Sequence, residues 1–180
     1  MRAFIAADIP EDIRERLSEA ALAFGLSGIR VVDKSNMHFT LAFLGELENS
    51  RIDNVKNAIS RVHFDMFDVD IKGIDYFGNP GAIYSAVDLG ADKIIELANA
   101  IRAELASLDI YFDKKDFVPH VTIARMKRRV DEKVLIDELH RFADKGFGSY
   151  TLDKISLFKS VLSTDRPRYE GLYERKARGT

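Results

Sequence analysis

The sequence contains no cysteine. That excludes a disulfide framework, a thiolate zinc site, an iron–sulfur cluster and a cysteine nucleophile, and it fits a reducing compartment. It has no charge surplus either: Lys plus Arg number 27 against 29 Asp plus Glu, for a net charge of −2. A protein that coats duplex nucleic acid by releasing counterions needs a clear positive excess. This chain is suited to a single phosphate or a strand end, not to long stretches of backbone. No apolar run approaches the roughly 20 residues that a membrane helix needs. The opening Met1-Arg2-Ala3-Phe4-Ile5-Ala6-Ala7-Asp8 reaches an aspartate too soon for a signal-peptide core. A cytoplasmic protein without membrane contact is expected. What is present is an ordinary globular composition over 180 residues, 46% hydrophobic and 31% charged, suited to one domain or two small lobes.

Hydrophobic spacing divides the chain into alternating strands and helices. Residues 2–8 read as a strand. Pro10 opens a helix whose inner face is Ile13, Leu17, Ala20, Ala21 and Phe24, with Gly25 as its stop. A short extended piece at 29–32 precedes the apolar run 37–44, a helix over 51–62 and a strand over 69–77. Gly78-Asn79-Pro80-Gly81 is the strongest turn signal and marks the middle of the molecule. The order then begins again: strand 82–89, helix 92–108, extended piece 110–112, strand 117–125, helix 131–142, strand 150–161 and a closing strand 168–173. The two halves share one order of elements. This predicts an internal duplication of about 80 residues, with 1–78 repeated at 82–163, although any α/β-type chain shows some plain alternation.

Histidine is scarce: His38, His63, His120 and His140 are the full set. Two of them are followed two places later by threonine, in His38-Phe39-Thr40-Leu41 and His120-Val121-Thr122-Ile123, in a chain with five threonines. Random placement would give roughly 0.1 such pairs. The two lie 82 residues apart, at the same element of each half. On a strand, positions i and i+2 share a face, about 7 Å apart. His38 and Thr40 therefore look one way while Phe39, Leu41 and Phe43 look the other; His120 and Thr122 likewise oppose Val121 and Ile123. If the halves pack about a pseudo-twofold axis, the two polar faces meet across one cleft.

Two facing imidazoles suit phosphodiester chemistry. In-line displacement at phosphorus removes a proton from the attacking oxygen and supplies one to the departing oxygen on the far side. Imidazole, with an ordinary pKa of about 6.5, does either at neutral pH. The threonine hydroxyls can donate to the non-bridging oxygens. No metal or other cofactor is required. Two blander roles stay open for these four residues. All of them can be ordinary strand composition, or the histidines can be metal ligands, although two imidazoles without cysteine or an acidic cluster make a poor zinc or iron set. His63, where a helix runs out, and His140, on a helix surface, lack the following threonine and serve as internal controls.

In these residues the chain resembles the two-histidine phosphoesterase superfamily, in particular the RNA 2′,3′-cyclic phosphodiesterases, also called 2′-5′ RNA ligases. The family's mark is a repeated histidine-x-threonine/serine-x motif. The similarity extends to residues 2–10, 36–46 and 119–125, and with element order and length it covers essentially the whole chain. It implies a bilobal α+β fold, two antiparallel-rich sheets with outer helices and an active-site cleft between the lobes. It implies metal-independent hydrolysis of RNA 2′,3′-cyclic phosphate ends to 2′-phosphates. By motif position it makes His38 the proton donor to the leaving 3′ oxygen and His120 the proton acceptor that activates water. Thr40 and Thr122 become phosphate ligands, and Arg125 a further phosphate contact. Arg125 shares the apolar parity of Val121 and Ile123, so it reaches the cleft only if the strand ends or bulges there.

Phe39 and Tyr84 are candidates to stack on a base. Arg30, Lys34, Lys114, Lys115, Lys127, Arg128 and Arg129 are candidates for a basic rim around an RNA end. RNA ends or small cyclic-phosphate nucleotides are the expected partners of a monomer with no obligate protein partner. Run backward, the same groups would join a 5′-hydroxyl to the cyclic phosphate. Another small cyclic nucleotide fits the site equally, and an RNA-end binding module without turnover is the alternative from a different class.

Overall fold

The computed structural model describes residues 1–162 and 167–179. Its first half runs β1 (Arg2–Asp8), α1 (Glu11–Ala21), β2 (Ile29–Val31), β3 (His38–Glu46), α2 (Ile52–Arg61) and β4 (Phe67–Gly78). The second half brings β5 (Gly81–Val87), α3 (Ala91–Ser107), β6 (Val121–Met126), α4 (Glu132–His140), β7 (Gly146–Leu152), β8 (Lys154–Leu162) and β9 (Pro167–Lys176). Helix starts follow local chemistry. Pro10 stands at the cap of α1, where a backbone N–H is dispensable. Asp131 caps α4 by accepting from the N–H groups of Lys133 and Val134. Gly90 leads into α3 at φ +85°, and a Cβ there would come within 2.5 Å of the Asp68 carbonyl oxygen, so a side chain is excluded. Among the described residues no helix is long and apolar enough to cross a membrane.

All pairings between these strands are antiparallel, in the order β7-β4-β5-β6-β3-β1-β8-β9, with β2 added beside β6. The order falls into two four-stranded arrays, β7-β4-β5-β6 and β3-β1-β8-β9. They join through one residue pair, Phe39 opposite Val121. The expected two-sheet, two-lobe α+β architecture is present, fused at that seam into one curled sheet. Each lobe takes strands from both halves of the sequence: β4 pairs with β5 in one, and β8 pairs with β1 in the other. The helices cross over too. α1 packs on β6 and β7, while α3 packs on β3 and α2 on β9. They bury Ile13 and Leu17 on one side and Val55, Ile59, Leu97 and Ile101 on the other, each worth about 1.5–3 kcal/mol.

Three boundaries differ from expectation. Residues 110–112 form no strand; the N–H of Asp113 donates to the Phe43 carbonyl at 2.9 Å, and the segment lies along β3 as a loop. The strand expected over 117–125 begins only at Val121, just after Pro119, which has no N–H to give to a ladder. The strand expected over 150–161 is two strands broken at Asp153, because β7 pairs with β4 in one lobe and β8 with β1 in the other. The end of the expected repeat, residue 163, lies outside the described residues. The central turn is tied down by Asn79, whose Nδ2 donates to the Val130 carbonyl at 2.9 Å while its Oδ1 accepts from the Val130 N–H at 3.0 Å.

Candidate active site

Strand register decides which side chains reach the cleft. Along β1, Ala6 faces Thr40 but Ile5 faces Ala42, and Phe4 faces Phe43 while Ala3 faces Gly45. Each slip inserts one extra residue into β3. Leu41 and Ala42 are both buried, and the alternation restarts out of phase. His38, Thr40 and Phe43 thus share the cleft face, and Phe43 is 47% exposed instead of joining Phe39 and Leu41 in the core. β6 carries the same slip: Tyr84 faces Thr122 and Ile83 faces Ala124, skipping Ile123. Ile123 and Ala124 are both buried, and Arg125 emerges beside Thr122. The bulge resets the apolar parity of Arg125.

The two faces meet in an open cleft of ≈ 1550 Å³ whose walls include His38, Thr40, Phe43, His120, Thr122 and Arg125. Nε2 of His38 lies 3.1 Å from Oγ1 of Thr40. Its ring stacks on Phe4, with centroids 4.9 Å apart, and meets the edge of Tyr169 at 5.3 Å. Burial, followed by the nearby Arg14 guanidinium, pushes the His38 imidazole down to about 4; the Asn36 backbone opposes this, and Arg125 and His120 add to it. Arg14 is held in place by Asp8 at 3.0 Å and by the Met37 carbonyl at 3.2 Å.

His120 donates from Nδ1 to the Val118 carbonyl at 2.7 Å. That bond fixes the neutral tautomer with its lone pair on Nε2. The ring meets Phe77 at 5.1 Å and Tyr84 at 5.4 Å, both edge-on. Burial lowers its proton affinity, opposed by the Val118 bond and aided by Arg125. Both imidazoles are therefore biased toward the neutral form. An anion placed between them would shift each toward the charged form.

Two expected contacts lie elsewhere. Phe39 is 1% exposed, on the core face opposite Val121, and cannot meet a base. Tyr84 is 8% exposed and covered by Phe77, with ring centroids 4.1 Å apart, so it backs His120 instead of facing the cleft. Of the expected basic rim, Arg30, Lys34 and Lys115 line the cleft. Lys34 is engaged by Glu11 at 2.7 Å and Glu15 at 3.2 Å. Lys114, Lys127, Arg128 and Arg129 do not line it, and Arg128 donates to the Ser27 hydroxyl. His63 receives a bond from Arg175 at 3.1 Å, and His140 is exposed at the end of α4; neither lines the cleft.

The aromatic wall of Phe4, Phe43, Phe77, Tyr111 and Tyr169 is new. The bulge concealed Phe43, and Tyr169 reaches His38 only because β9 follows β8 alongside β1. Among the described residues, no group of three or more His, Asp or Glu side chains is arranged to hold a metal ion.

The chain is similar to known proteins over nearly its whole length. The sequence profile described as LigT like phosphoesterase matches residues 6–84 and again 87–169. The RNA 2′,3′-cyclic phosphodiesterase of Methanocaldococcus jannaschii is 32% identical over 97% of this chain and 99% of its own. A crystal structure of a Thermus thermophilus protein superposes with a TM-score of 0.83 at 27% identity, covering 99% of both chains. Escherichia coli LigT complexed with phosphate superposes at 0.79 with 25% identity, over 98% of this chain and 96% of that one. Each matched stretch of the profile holds one histidine–threonine pair, and the chain belongs to the LigT-like phosphoesterase family.

Proposed function

We propose that the protein hydrolyses RNA 2′,3′-cyclic phosphodiester ends to 2′-phosphomonoesters by acid–base catalysis between two histidines, without a cofactor. The observation that carries this reading is the convergence of His38, Thr40, His120, Thr122 and Arg125 on one cleft. The cyclic phosphate sits between the hydroxyls of Thr40 and Thr122, which donate to its non-bridging oxygens, and Arg125 offsets the charge that builds there. Nε2 of His120, freed by the Nδ1 bond to Val118, takes a proton from a water that attacks phosphorus. His38, protonated as the anion enters, gives a proton from Nε2 to the departing 3′ oxygen. One P–O bond forms to water and the P–O3′ bond breaks, leaving a 2′-phosphate and a 3′-hydroxyl. Proton exchange with solvent then restores both rings.

The name of the M. jannaschii relative supports the substrate, and the phosphate complex of E. coli LigT supports an anion as ligand. The same reading takes 1–78 and 82–163 as an internal repeat whose strands are exchanged between lobes, and the protein as a cytoplasmic monomer acting on RNA ends. The test is an oligonucleotide ending in a 2′,3′-cyclic phosphate, incubated with the protein and a chelator. A terminal 2′-phosphate is expected. A 3′-phosphate product sinks the assignment of roles. Tight binding with no product over hours marks a binding module, and joining to an added 5′-hydroxyl strand marks a ligase.

A further inference from the structure

His38 opens β3, where an irregular segment gives way to a paired strand. The backbone just ahead of it therefore decides where its ring points. Two elements hold that backbone. From α1, the guanidinium of Arg14 reaches two strand ends at once. Its Nη2 donates to Oδ1 of Asp8 at 3.0 Å, and its Nε donates to the carbonyl of Met37 at 3.2 Å. Asp8 closes β1 and stands directly across the ladder from His38. The guanidinium thus bridges the rung on which His38 sits. From β9, the Pro167 carbonyl accepts from Nδ2 of Asn36 at 3.0 Å. Local sequence makes the first grip possible. Pro10 turns the chain from β1 straight into α1, so Asp8 and Arg14, six residues apart, flank the bend.

The Arg14 side chain is only 19% exposed, and a cation so far out of water needs close partners. Glu11 stands beside it at 3.8 Å but is itself engaged by Lys34 at 2.7 Å. Asp8 is the direct carboxylate partner, bordered by Tyr150 of β7 and Lys154 of β8. On the cleft side His38 meets Tyr169 of β9, and His120 and Arg125 line the facing wall. Of these charged groups Arg14 acts most strongly on the His38 imidazole, and it favours the neutral ring. His120 is held differently. The segment before it is gripped five residues back, where Nη1 of Arg102 donates to the Lys115 carbonyl at 3.1 Å. The charge that bears on its ring is that of Arg125.

We propose that Arg14 is a positioning residue for the reaction: bridged to Asp8, it fixes the Met37–His38 backbone and so sets the place of His38 against the departing oxygen. The inference rests on the reading of His38 as the acid. A cation beside the ring also makes it a stronger acid.

The experiment measures kcat and the kcat/KM–pH profile on a cyclic-phosphate oligonucleotide for Arg14→Gln, Arg14→Lys and Asp8→Asn. Arg14→Gln removes both bridge and charge. Its kcat should fall about tenfold, as for a misplaced reacting group, and its His38 limb should move upward by on the order of half a unit. Arg14→Lys keeps the charge but cannot span both partners, so the limb should stay while kcat still falls. Asp8→Asn leaves the guanidinium without its counter-charge, and the limb should move downward. Arg102→Gln should leave the His38 limb in place. A kcat for Arg14→Gln within about twofold of the unmodified protein overturns the inference, and so does a profile that only loses height. Should Arg14→Gln fail to fold, Asp8→Asn decides, and a limb that stays or rises there overturns it. If the unmodified protein turns nothing over, the hydrolase reading falls instead. The NMR titration of the His38 Cε1 proton in the same variants then carries the test, and an unmoved midpoint in Arg14→Gln overturns the grip of Arg14 on His38.

Discussion

Phe4 lies face to face with His38, their ring centroids 4.9 Å apart and their planes 19° apart. It sits in the middle of β1, 4% exposed, and keeps water from one face of the imidazole. Burial is the leading cause of the low proton affinity of His38. Phe4→Leu should admit water, favour the charged ring and move the His38 limb of the kcat/KM–pH profile upward by on the order of one unit. Uniform loss of activity at every pH would show that Phe4 only supports the strand.

Removing either imidazole should be severe and removing the controls should not. His38→Ala and His120→Ala are each expected to lower turnover of a cyclic-phosphate oligonucleotide by roughly 10²–10⁴-fold. His63→Ala, bonded to Arg175 away from the cleft, should stay within about twofold, the effect of a typical surface substitution. Comparable losses for all three would mean that the assay reports folding.

The titration of His38 also bears on stability. The ring titrates at about 6.5 in an unfolded chain and at about 4 in the folded one. Above pH 6.5 it is neutral in both states and makes no difference. Between pH 6.5 and 4 the unfolded chain takes up a proton that the folded one refuses, so stability falls with pH, by about 3 kcal/mol once both are charged. Urea denaturation from pH 7 to pH 4 should show stability decreasing as pH is lowered, with His120 adding in the same direction, and His38→Gln should make the decline shallower.

Thr40 and Thr122 stand two places after their histidines on the cleft face. Valine keeps their shape and removes the donor. Each Thr→Val exchange is expected to lower kcat by roughly 10²–10³-fold and to weaken inhibition by inorganic phosphate. Unchanged phosphate inhibition would place the anion elsewhere.

Phe39 is the opposite case. At 1% exposure in the core, Phe39→Ala should cost about 3–5 kcal/mol of stability, seen as a lower denaturation midpoint. The fraction that remains folded should turn over substrate at close to the normal rate.

Period-two alternation placed His38 with Thr40 and His120 with Thr122, because no register slip falls inside either pair. The same counting put Phe43 in the core and left Arg125 dependent on a bulge, because the slips at Leu41 and Ile123 belong to pairing with β1 and β5, partners a linear pattern does not name. Tyr84 is a stacking candidate by residue type alone, and its exposure is decided by Phe77 lying over it. Residues 150–161 read as one strand since both pieces are apolar and strand-like, but Leu152 and Ile155 lie three apart, out of phase, and the change of lobe at Asp153 divides them.

The exchange of β4 and β8 ties the two lobes to a common fate. A polypeptide nicked in the Gly78–Gly81 turn would yield fragments that each lack part of both sheets. Neither should be stable in isolation, yet mixing them in equal amounts should restore the activity through complementation, and the intact molecule should melt in a single cooperative step.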